Sequence, residues 1–194
     1  MRKLLRYFFA IIFIGNVGLH AQVSDNMSYA DKKGLEFLED TTSNIDIHLY
    51  GLTSRKFQNG NEQILPGVVI TMRDLYGETV QIASDDSAFY ALELKFDNIY
   101  LIYYEYQGMY TKYLEIDTRD VIDIEQERGY LFPTNMSMQP ASDFEISALY
   151  LKKPIGKAYF DRRLQMIMWD LKYTDRLKAE IAKIESKSKN TKKK

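Results

Sequence analysis

Residues 84–106 read SDDSAFYALELKFDNIYLIYYEY, and the period of two in that run decides the fold. Phe89, Ala91 and Glu93 alternate with Tyr90, Leu92 and Leu94, which places them on opposite faces of a strand. Asp97-Asn98 then turns the chain into a second apolar run, Ile99 to Tyr106. The same pattern extends in both directions. Upstream, Ile45, Ile47 and Leu49 alternate with Asp46 and His48 and end at Gly51; Arg55–Gln63 is a polar loop with an Asn59-Gly60 turn pair. Leu65-Pro66-Gly67 opens a strand over Val68–Met72, Tyr76-Gly77 is a turn, and Thr79–Ala83 is another strand. Downstream, Gln107-Gly108 precedes a strand over Tyr110–Ile116, and Val121–Ile124 reads as a further short one. Strands about ten residues apart, punctuated by Gly, Asn and Asp, specify a mainly β chain folded as a sandwich.

The ends differ from this middle. Arg2, Lys3 and Arg6 precede an apolar run from Phe8 to Gly18, and Leu19-His20-Ala21 supplies a small residue. That order predicts a signal peptide over 1–21 with Gln22 as the new N-terminus; an uncleaved anchor is the other reading. Residues 22–44 are polar, with a possible short helix near Tyr29–Glu39 interrupted by Gly34. After the sandwich, taken as 45–125, residues 126–186 hold an irregular, proline-marked stretch, then a hairpin pairing Lys157–Phe160 with Leu164–Trp169, then an amphipathic helix. In that helix Leu171, Thr174, Leu177, Ile181 and Ile184 recur at three and four, and Asp170 is the expected N-cap. Trp169, Met166 and Met168 are expected to glue hairpin and helix to the sandwich. Residues 187–194 are a lysine-rich, solvated tail able to touch anionic surfaces.

Composition narrows the chemistry. The chain has no cysteine, so disulfides and a lipid-modified N-terminal cysteine are excluded. Export without disulfides suits a bacterial envelope, periplasmic or cell-surface. The net charge is −1, but three basic groups lie in the leader and five lysines in the tail. The body between is therefore distinctly acidic, which argues against nucleic acid as a partner. Removing the leader leaves no transmembrane span.

The stretch from Ile45 to Ile116 resembles the carboxypeptidase regulatory-like domain family. The resemblance rests on Ile47-His48-Leu49-Tyr50-Gly51, on Leu65-Pro66-Gly67-Val68-Val69-Ile70, and on Ser84-Asp85-Asp86-Ser87-Ala88-Phe89 in the place of the family's Thr-Asp-x-x-Gly-x-Phe turn. It continues through Tyr100-Leu101-Ile102-Tyr103 and Gly108-Met109-Tyr110. Ser87 is read at the family's Gly, so the turn must avoid positive φ there or tolerate strain. The resemblance implies a seven-stranded Greek-key transthyretin-like sandwich, an accessory module of Gram-negative exported proteins without catalytic residues.

Residue by residue, catalysis finds little footing. His48 is the only histidine beyond the leader and lies in a strand. With no Cys and one His, zinc would need mostly carboxylate ligands. Asp117, Asp120, Asp123, Glu125 and Glu127 could hold Ca²⁺, but their spacing fits no calcium loop and reads as a charged strand face. Asp85 and Asp86 read as turn formers. No catalytic residue, cofactor or metal is assigned. The tyrosines stand out: Tyr100, Tyr103, Tyr104, Tyr106, Tyr110 and Tyr113 fall in fourteen residues. Strand geometry puts Tyr100, Tyr104 and Tyr106 on one face and Tyr103 on the other. They form either a cross-strand aromatic ladder or a platform for a glycan or protein. The expected function is a non-enzymatic envelope binding or assembly module whose partner is an envelope protein or surface glycan. A carbohydrate-binding module on the tyrosine face and a small carboxylate-dependent hydrolase are the alternatives.

Overall fold

The computed structural model describes residues 28–40, 47–57, 59–121 and 130–191. The chain is mainly β, in two sheets. Helix α1 (Tyr29–Asp40) is followed by β1 (Ile47–Lys56), β2 (Glu62–Ile64), β3 (Val69–Arg73), β4 (Thr79–Ala83), β5 (Phe89–Leu94), β6 (Ile99–Glu105) and β7 (Lys112–Asp117). Then come β8 (Tyr130–Pro133), β9 (Met136–Met138), α2 (Phe144–Lys152), β10 (Gly156–Asp161), β11 (Met166–Trp169) and α3 (Leu171–Thr191). Among the described residues no helix is long and apolar enough to cross a membrane.

β1 is the spine of a five-stranded sheet. β5 and β2 pair antiparallel along its two halves, and β8 and β9 pair parallel along the opposite side. The expected stop at Gly51 does not occur. β1 runs through it because the corner between β8 and β9 crosses there, and a Cβ on Gly51 would lie 2.0 Å from the Thr134 carbonyl oxygen. Thr134 N donates to Tyr50 O (2.7 Å) and Leu52 N to Asn135 Oδ1 (2.9 Å) on either side of the crossing. Glycine here makes room for backbone rather than ending a strand. Two further expectations change. Part of the polar loop 55–63 is strand, the end of β1 hairpinned onto β2, and the irregular stretch holds β8, β9 and α2. The short strand expected at Val121–Ile124 falls largely on residues outside those described.

The second sheet has the order β11-β10-β7-β6-β3-β4, antiparallel except that β10 runs parallel to β7. The two sheets enclose Ile47, Leu49, Ile70, Leu92, Leu94, Ile102, Leu114, Ile116 and Met138. Each fully buried aliphatic side chain of this kind stabilises the fold by about 2 kcal/mol. Trp169 closes the β11 side of the sandwich against Phe132, ring centroids 5.0 Å apart, and Gly156 leaves it room, since a Cβ there would lie 3.1 Å from the indole. The hairpin thus extends the second sheet itself, with β10 beside β7, rather than docking on a sandwich that ends at 125.

The turn at 84–89 corrects a detail of the motif. The left-handed residue is Ala88 (φ 63°), not Ser87. Counting from Asp85, Ala88 holds the glycine position of the pattern and Tyr90 the aromatic one. Asp85 Oδ1 accepts from the backbone N of Ser87 and Phe89 (2.8 Å each), which holds the bend.

α1 covers the outer side of the β1 sheet. Gly34, expected to break this helix, instead sits against the Tyr50 ring, where a Cβ would come within 2.6 Å. α3 is capped by Asp170, whose Oδ1 accepts from Tyr173 N at 2.9 Å. Leu177 is buried, and Ile181 and Ile184 pack on the Tyr110–Ile146–Tyr150 cluster formed with α2.

Candidate functional site

The six tyrosines do not share a surface. β6 alternates, so Tyr100 and Tyr104 point into the sandwich and are buried, while Tyr103 points out. Tyr104 Oη lies 2.8 Å from Tyr90 Oη, and Tyr90 donates a short bond to the Thr134 carbonyl. Burial pushes both phenols far above the ordinary tyrosine range. Tyr100 Oη accepts from Lys95 N at 2.7 Å. Tyr110 is buried with Tyr150 under α2, its oxygen accepting from Asp143 N (2.8 Å). Tyr106 lies beyond the strand and is exposed. Tyr100, Tyr104 and Tyr110 are thus structural rings, and Tyr106 does not join Tyr100 and Tyr104 on a common face.

What remains outside is a narrower feature on the outer face of the six-stranded sheet. Tyr103 and Tyr113 sit directly opposite on β6 and β7 and stack, centroids 5.0 Å apart with 26° between planes. The Arg73 guanidinium lies over Tyr103 at 5.7 Å. Glu115 pairs with Lys157 (2.7 Å), and Lys157 in turn lies over the Tyr173 ring at 5.3 Å. From there the face runs into a cleft of about 490 Å³ between β7, the end of α2 and α3. Its walls carry Tyr113, Tyr173, Lys152, Lys153, Lys157 and Arg176, against the carboxylates Glu115 and Glu180. Lys153 holds Glu180 at 2.7 Å. Burial, then nearby Tyr113, Glu115 and Glu180, pushes the Tyr173 phenol up to about 12. In a chain whose body is acidic, this cleft is a local excess of positive charge.

A second cavity of about 390 Å³ opens between the sheets near β9 and Trp169. Lys112 lines it, a residue that sequence reasoning missed. It points inward from β7, buried, with Nζ donating to Ser137 O (2.7 Å) and Gln139 Oε1 (3.3 Å) and lying 5.5 Å from the Tyr150 ring. Burial, reinforced by Lys56, pulls its amine down to about 8. The signal was its phase: Lys112, Leu114 and Ile116 share one side of β7.

The other candidates fall into structural roles. His48 is buried within β1, on the side that faces α1. Asp117 is held by Arg119 through Oδ2 at 2.6 Å, which lowers its carboxyl below the ordinary range. Asp120 pairs with Arg162. Asp123, Glu125 and Glu127 lie outside the described residues. Among the described residues no group of three or more His, Asp or Glu is placed to hold a metal ion.

No family model matches the chain and no curated protein matches it. Solved structures similar to it include the TIE protein of Bacillus anthracis, at 11% identity and TM-score 0.36 over 49% of this chain and 18% of that one. A C-terminal fragment of the pilus adhesin SpaC from Lactobacillus rhamnosus GG aligns at 14% identity and TM-score 0.33 over 51% and 47%. Catechol 1,2-dioxygenase from Pseudomonas arvilla C-1 aligns at 11% identity and TM-score 0.38 over 60% and 59%. The chain thus spans less than two thirds of each, and at such scores the likeness carries no functional weight.

Proposed function

We propose that this protein is a non-enzymatic binding and assembly module of a Gram-negative cell envelope, built on a transthyretin-like carboxypeptidase regulatory-like sandwich. Export is supported by the charged, apolar, small-residue order of residues 1–21. The fold assignment is supported by the two sheets and by the Asp85 turn, with its left-handed Ala88 followed by the buried Tyr90.

The observation that carries the binding reading is the outer face of the six-stranded sheet, where Arg73, Tyr103 and Tyr113 lead into the cationic cleft beside Tyr173. Tyrosine and arginine are among the residue types that dominate binding hot spots, tyrosine because its rigid ring offers large area at small entropic cost, arginine because its planar guanidinium stacks and donates several hydrogen bonds at once. Here they are held by strands rather than loops, so little ordering is needed on contact. The excess of cations favours an acidic partner surface, most simply on another envelope protein. Capture from envelope extracts with the intact protein, set beside Tyr103→Ala/Tyr113→Ala, tests this. Specific partners should be lost in the double variant; capture of the same partners by both proteins would overturn the assignment.

The stacked pair also favours a second reading, a glycan laid across the rings. Binding on a glycan array that disappears in the same variant would establish it, and a silent array would remove it.

A further inference from the structure

β4 is the bare edge of the six-stranded sheet. Among the described residues it pairs with β3 only, and Thr79, Val80, Gln81 and Ala83 are exposed. The devices that normally protect such an edge are missing. Between Glu78 and Asp85 there is no charge and no proline, and the register with β3 is unbroken by a bulge.

The hydrogen bonds fix which backbone groups are free to pair. Ser84 N donates to Val68 O (2.9 Å), and Asp74 N donates to Glu78 O (3.1 Å). Glu78 and Ser84 therefore turn their backbone groups toward β3, and Val80 and Ile82 share that phase. Thr79, Gln81 and Ala83 have the opposite phase and present their N–H and C=O groups outward.

We propose that β4 pairs antiparallel with β4 of a second copy of this chain, about a two-fold axis at Gln81. The segment is complementary to itself in this register. Gln81 faces Gln81 and Thr79 faces Ala83, so all three outward residues meet outward residues. Val80 falls opposite Ile82, a β-branched cross-strand pair that covers apolar surface left half-open in one copy. Glu78 falls opposite Ser84 and Asp85 opposite Gly77, so no like charges face each other. Only an isologous contact closes in this way, giving a dimer instead of a fibre. The two Tyr103 rings would then share one continuous outer face, roughly 24 Å apart by five interstrand spacings. A repetitive partner could be gripped twice.

The test is sedimentation of the intact protein, as its cells deliver it, over a micromolar to submillimolar range, with amide exchange at both ends of that range. A concentration-dependent dimer is expected, in which the amides of Thr79, Gln81 and Ala83 gain protection while those of Val80 and Ile82 do not change. Gln81→Lys opposes two ammonium groups across the axis and should raise the dissociation constant by about tenfold or more. Gln81→Pro removes an outward donor and should do the same. Circular dichroism confirms that each variant is folded, and because Gln81→Lys changes an exposed side chain whose hydrogen bond is to Thr71 Oγ1 (3.1 Å), it decides if Gln81→Pro does not fold. A monomer throughout the range, a dimer unmoved by Gln81→Lys, or protection gained elsewhere than at those three amides would overturn the pairing.

Discussion

Two tyrosine pairs, one on each side of the same sheet, show what position does to one side chain. Tyr90 and Tyr104 meet inside the sandwich edge to face, at 75° and 5.5 Å, with their hydroxyls hydrogen-bonded. Tyr103 and Tyr113 meet outside, nearly parallel, at 5.0 Å. The inner pair must satisfy its oxygens because no water reaches them, so geometry follows the hydrogen bonds. The outer pair has no such demand, and its rings stack face to face across the two strands. The inner rings are therefore committed to stability, whereas the outer rings carry no such hydrogen-bonding burden. Tyr103 and Tyr104 are neighbours in sequence, and a single step along β6 separates the two roles.

The contrast can be broken most forcefully from the inside. Tyr104→Ala should destabilise the protein by about 4 kcal/mol, the cost of deleting a large buried ring, read from chemical denaturation. A loss below about 1 kcal/mol would mean that the ring is not part of a packed core. Lys112 extends the comparison to β7, where a charged residue points in and Tyr113 points out. Its folded amine, at about 8, lies below its ordinary value of 10.5, so between those limits the unfolded chain holds more protons. Stability should accordingly rise with pH above 8, by about 2 kcal/mol at pH 10. Beyond that the buried tyrosines, whose folded values are raised, reverse the trend. In Lys112→Met the rise between pH 8 and 10 should vanish; a rise that persists would assign it to another group.

Tyr90→Phe sharpens the same comparison without a cavity. It leaves the Thr134 carbonyl and the Tyr104 hydroxyl short of a partner, and should cost about 2 kcal/mol. The matched outer change, Tyr103→Phe, should leave the melting temperature unmoved. Tyr103→Ala is expected to cost no more than about 1 kcal/mol, the value of one aromatic contact, while weakening partner capture. A large loss of stability there would make the outer pair structural as well.

Much of this was legible in the sequence because alternation is a local signal. β3 to β7 and the C-terminal hairpin come from runs whose period of two can be counted directly, and the Asp170 cap from its place before a heptad-like stripe. What could not be seen is long-range. β8 and β9 are four and three residues long, β8 ends on Pro133 and Pro140 follows β9, and their parallel pairing with β1 leaves no local trace. Gly51 looked like punctuation because the strand corner that needs its bare Cα is more than eighty residues away. The tyrosines were countable, but their partition depended on where β6 ends: Tyr106 lies just past Glu105 and is freed from the alternation that governs Tyr100 and Tyr104. Lys112 broke the rule that charge marks the solvent side. Only its acceptors on and beside β9 explain how it is tolerated inside.

The parallel seat of β10 beside β7 bears on the order in which the chain acquires its shape. The ion pair between Lys157 and Glu115 joins residues 42 apart, and the strand registers around it span the same interval. Between them the backbone leaves this sheet, adds β8 and β9 to the other, and returns through α2. Contacts of such high sequence separation are entropically slow to form. The local hairpins β3–β4 and β6–β7, joined by the pairing of β3 with β6, can condense early as a nucleus, whereas β10, β11 and α3 can dock only on a surface already assembled. During that interval the flank of β7 and the seat of Trp169 are open and greasy, which makes arrival of the C-terminal segment the step most exposed to misassembly.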